Sequence, residues 1–345
     1  MDPAADLAAA PGEEALRSPS VDEPGAFGEV ASLDDRLVER LAAQFADPRA
    51  PDAGVSVLRD LLRIESRRPR FHRLLRVWVG KLTAAVRAGD LARAEAWMRG
   101  LVVSPTYPPE FADLIGEALD EASDPQLLQD LVVRLAAADP PGTGAGLVAA
   151  WGERLARYLV QGMVVDDPPV NRRFLVEFLA WVGREDVRLL AAYTADPRWF
   201  VVRNVAIALG RTGRPQAAAP LESLLDHPDH RVRVEALRGL FALRRGEAVG
   251  ATVAALADPE SRVRHAAVSL MRASPSPQVV GALVELLETR PPAAAEARRL
   301  VEVIAVRADP AVPAALARLA GRRRTVGSAR VVRDAARLAL QGARR

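Results

Sequence analysis

Apolar side chains recur every three or four residues along most of the chain. The segment 32–45 opens with a serine and two early aspartates and carries leucine or phenylalanine at four such positions, and 55–66 repeats the pattern. This spacing is typical of amphipathic helices that bury one face. No alternating apolar–polar run of useful length occurs. The pattern therefore predicts an all-α fold.

Glycine, aspartate and proline mark the breaks between the predicted helices. Gly89 suits the C-terminal turn of a helix, and Asp90 suits the N-cap of the next. The segment 139–146, rich in glycine and proline, predicts a flexible joint. The pattern predicts helices at 71–88, 91–101, 109–121 and 125–138.

The second half of the chain is periodic. Five segments (VVRNVAIALG, RVRVEALRGL, RVRHAAVSLM, EARRLVEVIA and VVRDAARLAL) align on an arginine, with successive spacings of 30, 31, 34 and 35 residues. The aligned anchors are Arg203, Arg233, Arg264, Arg298 and Arg333, and a weaker copy surrounds Arg172. Second helices are predicted between anchors, at 217–226, 249–258 and 279–288. Because one helix pair cannot bury its apolar stripe, the pairs must stack, which predicts an α-α superhelix.

Residues 166–345 resemble bacterial HEAT-like repeats, including those of the phycobilin lyase type. The resemblance rests on DPxxxVVRNxAxxLG at 196–210, DHPDHRVRxEAL at 226–237 and DPESRVRxAA at 258–267. It implies a right-handed solenoid whose second helices, beginning near each Val-Arg, line a concave face. It implies little about the ligand, since such folds serve many partners. The unit around Arg298 departs from the pattern, with two prolines in place of the upstream aspartate.

The two ends of the chain carry opposite charge. Residues 1–30 hold seven acidic residues and one arginine, and we expect a disordered acidic tail there. Residues 31–145 are interpreted as irregular helical hairpins, similar to degenerate HEAT or tetratricopeptide pairs, and 146–345 as the solenoid. Its end, 311–345, carries nine arginines against one aspartate. The N-terminus lacks a secretory pattern and the apolar runs are too short to span a bilayer, so we expect a cytoplasmic protein without membrane contact.

The anchor arginines and nearby aspartates are interpreted as a structural ladder. An aspartate with a proline nearby precedes three of the anchors by six or seven residues, a spacing that allows ion pairing or capping of the turn. The predicted ladder residues are Asp196, Arg203, Asp226, Arg233, Asp258, Arg264, Arg298 and Arg333.

The positions that follow the anchors predict a recognition surface. Helical spacing directs the first, fifth and eighth residues after an anchor toward the concave face. Trp199, at a repeat entrance, is either a partner anchor or packing between units. Most of these residues are cationic, which favours an acidic or phosphorylated protein partner. The predicted partner-binding residues are Trp199, Asn204, Arg211, Arg238, His265, Arg272, Arg299 and Arg337.

Enzymatic motifs are scarce. The absence of cysteine excludes disulfides, cysteine-ligated metals and thiol nucleophiles, and Lys81 is the one lysine. No HE dipeptide, GxSxG, Walker A or GxGxxG occurs. His227 and His230, beside Asp226 and Asp229, make only a weak metal candidate. We therefore expect a non-catalytic interaction scaffold without cofactor or metal.

Two alternatives stay open at this level. The first is binding of nucleic acid or another polyanion through the groove and C-terminal arginines, although no aromatic residue in 311–345 offers a stacking platform. The second is a lyase or glycosylase on the same scaffold.

Overall fold

The structure, a computed structural model, describes residues 53–102, 107, 109–137, 144–165, 171–244, 248–322 and 326–342. Within these ranges the regular structure is helical, with no β-strand. The predicted all-α fold is confirmed. The helix predicted at 32–45 and the acidic tail 1–30 lie outside the described residues. No described helix is both long and apolar enough to cross a membrane.

The first described part of the chain consists of helical hairpins. Gly89 ends the second helix with φ 81°, a conformation that glycine adopts without strain. Asp90 accepts a hydrogen bond from the Arg93 N–H at 3.0 Å and so caps the next helix, as predicted. A 3₁₀ turn, Pro109–Phe111, precedes the helix that begins at Ala112. The helices are α1 (Ala53–Ile64), α2 (Arg68–Ala88), α3 (Leu91–Val102), α4 (Ala112–Ala122), α5 (Pro125–Ala137) and α6 (Ala145–Gly162).

The second part stacks helix pairs in two layers. The helices that carry the arginine anchors pack side by side and form what we call the groove layer, whereas the helices between them form the back layer. The groove layer contains α7 (Arg172–Glu185), α9 (Trp199–Arg211), α11 (His230–Leu243), α13 (Ser261–Ala273), α15 (Ala294–Ala305) and α17 (Gly327–Gly342). The back layer contains α8 (Val187–Ala191), α10 (Ala218–Ser223), α12 (Val249–Ala255), α14 (Gln278–Thr289) and α16 (Val312–Ala320).

The apolar core runs along the whole stack. One cluster of buried side chains extends from Leu58 to Ala248, and a second from Leu237 to Ala336. Each fully buried leucine or phenylalanine contributes roughly 1.5–3 kcal/mol to folding. Because the two clusters overlap in sequence at α11, successive units share their cores, as a stacked architecture requires.

A carboxylate ties the hairpins to the stack. Glu95 of α3 accepts hydrogen bonds from the N–H groups of Gly146 and Leu147, at 3.0 and 3.2 Å, and so caps α6. These N–H groups have no partner within their own helix. Residues 139–143 of the predicted joint lie outside the described residues, and the domain division at 145/146 stays a prediction.

Two glycines set the closest approach within the groove layer. Gly210 of α9 and Gly239 of α11 face each other, and a Cβ added at Gly210 would lie 2.5 Å from the Gly239 Cα. This is closer than non-bonded atoms can approach, so even a methyl group does not fit between the two backbones. The crossing of α9 and α11 therefore depends on glycine for space rather than for dihedral freedom.

We expect Gly210→Ala to lower the free energy of unfolding by about 1–3 kcal/mol, because the α9 and α11 backbones must move apart. Gly281→Ala is the matched control, since this glycine also lies within a helix and a Cβ there meets nothing within 4 Å. The control should stabilise by up to about 1 kcal/mol through helix propensity. Urea unfolding of both variants measures the difference. Equal stability of the two variants would contradict the close approach.

Candidate functional site

Short Asp-x-Arg segments shape the starts of several solenoid helices. Asp229, the N-cap of α11, accepts the Arg231 N–H at 2.8 Å and the same residue's guanidinium at 3.0 and 2.7 Å. The same arrangement joins Asp186 to Arg188 and Asp196 to Arg198. Each carboxylate thus satisfies a backbone donor and folds an arginine back over the helix start.

The anchor arginines of the central units reach the next unit. Arg233 donates to both carboxylate oxygens of Asp258 at 2.8 Å. It also donates to the carbonyl oxygens of His227 and Pro228 in its own turn, at 2.8 and 3.1 Å. The side chains of Arg233 and Asp258 are only 12% and 10% exposed. One guanidinium therefore joins two successive units at a nearly buried contact.

The neighbouring anchors follow the same scheme with other carboxylates. Arg203 pairs with Glu235 at 3.3 Å, and Arg264 pairs with Glu296 at 3.2 Å. Arg264 also donates to the carbonyl oxygen of Asp258 at 2.9 Å. In each case the carboxylate comes from the following unit, not from the aspartate six or seven residues upstream.

The remaining predicted ladder residues make local contacts. Asp196 binds Arg198 at 2.7 Å. Arg298 pairs with Glu302 on its own helix at 3.3 Å, and Arg333 pairs with its neighbour Asp334 at 2.9 Å. Asp226 is exposed at the end of a 3₁₀ turn. The following helix, α11, is capped by Asp229 and not by Asp226.

Three cavities follow one another along the groove layer, and we call them together the groove. The first, about 580 Å³, lies between α7 and α9. The second, about 550 Å³, is lined from α9, α11 and α13. The third, about 480 Å³, lies between α13 and α15. Trp199 and Arg203 border both the first and the second, and Ser269 borders the second and the third. The cavities therefore form a continuous surface.

The groove brings together seven of the eight predicted partner-binding residues. Trp199 lines two cavities, and the other six lie along the same face: Asn204, Arg211, Arg238, His265, Arg272 and Arg299. Arg337 is the exception. Its Nε lies 3.3 Å from the Ala320 carbonyl oxygen, so this side chain joins α17 to the end of α16.

Trp199 both packs between units and borders the groove. The guanidinium carbon of Arg231 lies 3.2 Å from the centroid of the indole ring, and Phe200 meets that ring edge-on at 6.0 Å. Arg231 is itself held by Asp229. The cation–π contact therefore links α9 to α11 and covers one face of the indole.

Sequence reasoning missed groove residues that lie two positions before the anchors. Arg231 and Arg262 line the second cavity beside Arg238 and His265. Residues three, four or seven positions apart share a face of a helix. Arg262 lies three positions before His265, and Arg231 lies seven positions before Arg238, so the same spacing could have predicted both. Spacing alone could not show that Phe200 and Ile207 form part of the apolar lining of the first cavity.

Positive charge dominates the groove. Its lining contains only two carboxylates, Glu235 and Glu302, against these nine arginines: Arg172, Arg173, Arg203, Arg211, Arg231, Arg238, Arg262, Arg272 and Arg299. Glu235 is shared by Arg203 and Arg238, at 3.3 and 3.2 Å. The whole chain has a net charge of only +3. The groove is therefore more positive than the rest of the chain, which contains most of the acidic residues.

The sequence also suggested two other sites, a metal site at His227 and His230 and a polyanion site at the basic C-terminal end. Within the described part of the chain, no group of three histidine or acidic side chains could hold a metal ion. His227 instead accepts the Asp229 N–H through Nδ1 at 3.0 Å. In the basic C-terminal end, Arg322 donates to the carbonyl oxygens of Leu287 and Glu288, at 2.9 and 3.1 Å. Arg323, Arg324, Arg344 and Arg345 lie outside the described residues.

Stacked helix pairs around a shared core define this protein as an α-solenoid. The family described as HEAT repeats matches residues 156–240 and, in a second overlapping match, 218–302. Residues 156–302 therefore match HEAT repeats, which confirms the resemblance over that range. HEAT solenoids commonly present extended surfaces to protein partners. None of the curated proteins matches the chain.

Solved structures similar to this chain include three proteins of low sequence identity. A chain from the Pds5–Scc1 complex matches with TM-score 0.40 and 12% identity, over 90% of this chain and 66% of that one. An engineered protein matches with TM-score 0.30 and 17% identity, over 92% and 97% of the two chains. Human deoxyhypusine hydroxylase in complex with glycerol matches with TM-score 0.29 and 18% identity, over 89% and 95%.

Removal of the Arg233 side chain should destabilise the fold. Arg233→Ala leaves the nearly buried Asp258 carboxylate without its partner, and we expect a loss of about 3 kcal/mol in the free energy of unfolding. Arg298→Ala is the control, because its pair with Glu302 is exposed on one helix and should contribute under about 0.5 kcal/mol. Chemical denaturation of both variants is the measurement. A loss of the same size in each would show that Arg233 does not join the units.

Acid should weaken the fold through the Asp-x-Arg pairs. The side-chain hydrogen bond from Arg231 is the main reason why the pKa of Asp229 falls from 3.8 to about 2. Because the folded pKa is lowered, the stabilisation is complete above the unfolded pKa and is lost as pH falls toward 2. Asp229→Asn should therefore lower stability at neutral pH and flatten its decline between about pH 4 and pH 2.

Asp226→Asn serves as the control for this titration, since Asp226 is exposed and has no hydrogen bond or ion pair with a described residue. Thermal unfolding followed by circular dichroism across the acid range compares the two variants with the natural protein. If Asp229→Asn and the natural protein lose stability in parallel, the account of the pair is wrong.

Proposed function

We propose that this protein is a non-catalytic interaction scaffold that holds an acidic segment of another protein in the groove. One observation carries the proposal: nine arginines and only two carboxylates line three connected cavities. Guanidinium groups bind carboxylates through two parallel hydrogen bonds, which gives direction as well as charge. A surface of this kind selects acidic partners and speeds their encounter.

The first cavity would supply the apolar anchor point. Trp199, Phe200 and Ile207 of α9 face Met163 and Val176 across it, with arginines at its edges. Tryptophan and arginine dominate the binding energy of protein interfaces when an apolar residue fills a central pocket. The partner segment would therefore place one large apolar residue here and acidic residues on both sides.

The aromatic content of the groove favours a protein partner over nucleic acid. Single-stranded nucleic acids are bound by successive aromatic rings that stack on bases. In the groove, Trp199 has one face already covered by Arg231, and the third cavity has valines and no aromatic side chain in its lining. The non-catalytic part of the proposal is supported by Glu235, a groove carboxylate that two arginines share.

Charge reversal in the groove tests the proposal. The probe is a fluorescein-labelled peptide of glutamates around one central leucine, measured by anisotropy. Arg211→Glu combined with Arg262→Glu should weaken its binding at least about tenfold, since both arginines are exposed groove residues. Replacing the central leucine by alanine should weaken binding several-fold more through loss of the apolar anchor.

The control for this test reverses two exposed arginines outside the groove, Arg76→Glu and Arg290→Glu. It changes the net charge of the chain by the same amount, so it separates groove contacts from overall charge. Equal weakening by both double variants would contradict a groove site. Binding that is unaffected by any of the four reversals would exclude the proposal.

A further inference from the structure

The C-terminal cavity of the groove is lined by two arginines that share no carboxylate. Arg272 of α13 and Arg299 of α15 line this cavity of about 480 Å³ together. Arg272 is exposed, and its side chain makes no hydrogen bond or ion pair with any described residue. Arg299 donates to Nε2 of His265 and has no carboxylate partner among the described residues.

The acidic residue of this cavity is already engaged. Glu302 accepts from Arg298 on its own helix at 3.3 Å. In the cavities upstream, two pairs of arginines each share one glutamate, and the first pair is Arg203 and Arg238, which share Glu235. Arg173 and Arg211 lie 3.1 and 3.7 Å from Glu177. Each of these two pairs therefore retains about one positive charge, whereas Arg272 and Arg299 retain two.

His265 holds Arg299 in a weak interaction that an anion can replace. Nδ1 of His265 lies 2.8 Å from the Ser261 carbonyl oxygen, so this nitrogen carries the proton and donates. Nε2 is then the acceptor that receives the Arg299 hydrogen bond. A neutral imidazole binds guanidinium less strongly than an anionic oxygen does. A bound anion would therefore draw Arg299 from His265 toward Arg272.

We propose that Arg272 and Arg299 form a phosphate-binding subsite for a phosphorylated serine or threonine in the partner segment. The inference rests on the proposed function of the groove. A phosphomonoester carries a charge of about −1.5 to −2 and three acceptor oxygens near neutral pH, which matches two unbalanced guanidinium groups. A carboxylate, with one charge, matches the upstream pairs.

The walls of the cavity fit an amino-acid side chain. Val268, Val303 and Val306 supply aliphatic surface, and Val306 is 63% exposed. Such surface can contact the carbon atoms that carry the phosphate and its flanking residues. Because no aromatic ring lines this cavity, a phosphate from nucleic acid would find no stacking surface for its base.

The experiment measures binding of the full chain to three labelled peptides by fluorescence anisotropy. The peptides are glutamate-rich around one leucine and differ at one later position, which holds phosphoserine, serine or glutamate. We expect the phosphoserine peptide to bind about tenfold more tightly than the serine peptide, since two charge-assisted contacts are added. The glutamate peptide should fall between them. A labelled oligothymidine of similar length is measured beside them.

Arg272→Gln assigns the preference to the subsite. This variant should remove the preference, so that it binds the phosphoserine peptide and the serine peptide with equal affinity, whatever it does to serine-peptide binding itself. Arg290→Gln is the matched control, because Arg290 is also exposed but lies on the back layer. Thermal unfolding shows that each variant is folded.

The outcomes separate the subsite from the proposed function. Equal binding of the three peptides, or a phosphoserine preference that survives Arg272→Gln, overturns the subsite and leaves the acidic groove in place. Failure of all three peptides to bind overturns both. Tighter binding of oligothymidine than of the phosphoserine peptide assigns the groove to nucleic acid and overturns the proposal.

Discussion

The guanidinium of Arg233 contacts two successive units of the stack at once. It binds two carbonyl oxygens of its own turn and both oxygens of Asp258 in the next unit. A helix pair cannot bury its apolar face alone, so each unit is stable only in register with its neighbours. Burial tends to raise the pKa of Asp258, but the bonds from Arg233 and from the Glu260 N–H hold that pKa below its ordinary value. This bridge keeps the groove helices side by side.

Arginine side chains also bind backbone carbonyl oxygens at other helix ends. Arg307 donates to the carbonyl oxygens of Ser274 and Ser276 at 2.9 Å, and Arg214 donates to that of Arg184 at 2.8 Å. The last carbonyls of a helix lack partners within it, and a planar fork of donors satisfies more than one of them. In the groove, five of the nine arginines share three carboxylates, and the other four have no carboxylate partner among the described residues. One residue type thus holds the units together and leaves a surface that accepts anions.

The sequence predicted the fold well because helical spacing and the 30–35-residue period are local features of the chain. It also placed Arg238, His265 and Arg299 on one face, since that inference needs only helical geometry. It did not predict the partner of each anchor. Glu235 and Glu296 lie 32 residues after Arg203 and Arg264 and contact them only because units stack. The misplaced cap at Asp226 has a different cause, because a short 3₁₀ turn delays the start of α11.

Photo-crosslinking is the most direct test of the groove as the binding site. An acidic peptide with a benzophenone beside its central leucine is irradiated with the full chain, and the attached residues are located by mass spectrometry. The account predicts attachment on α9 and α11 around Trp199, at the first and second cavities. Attachment to the back layer or to residues 311–345 would contradict it.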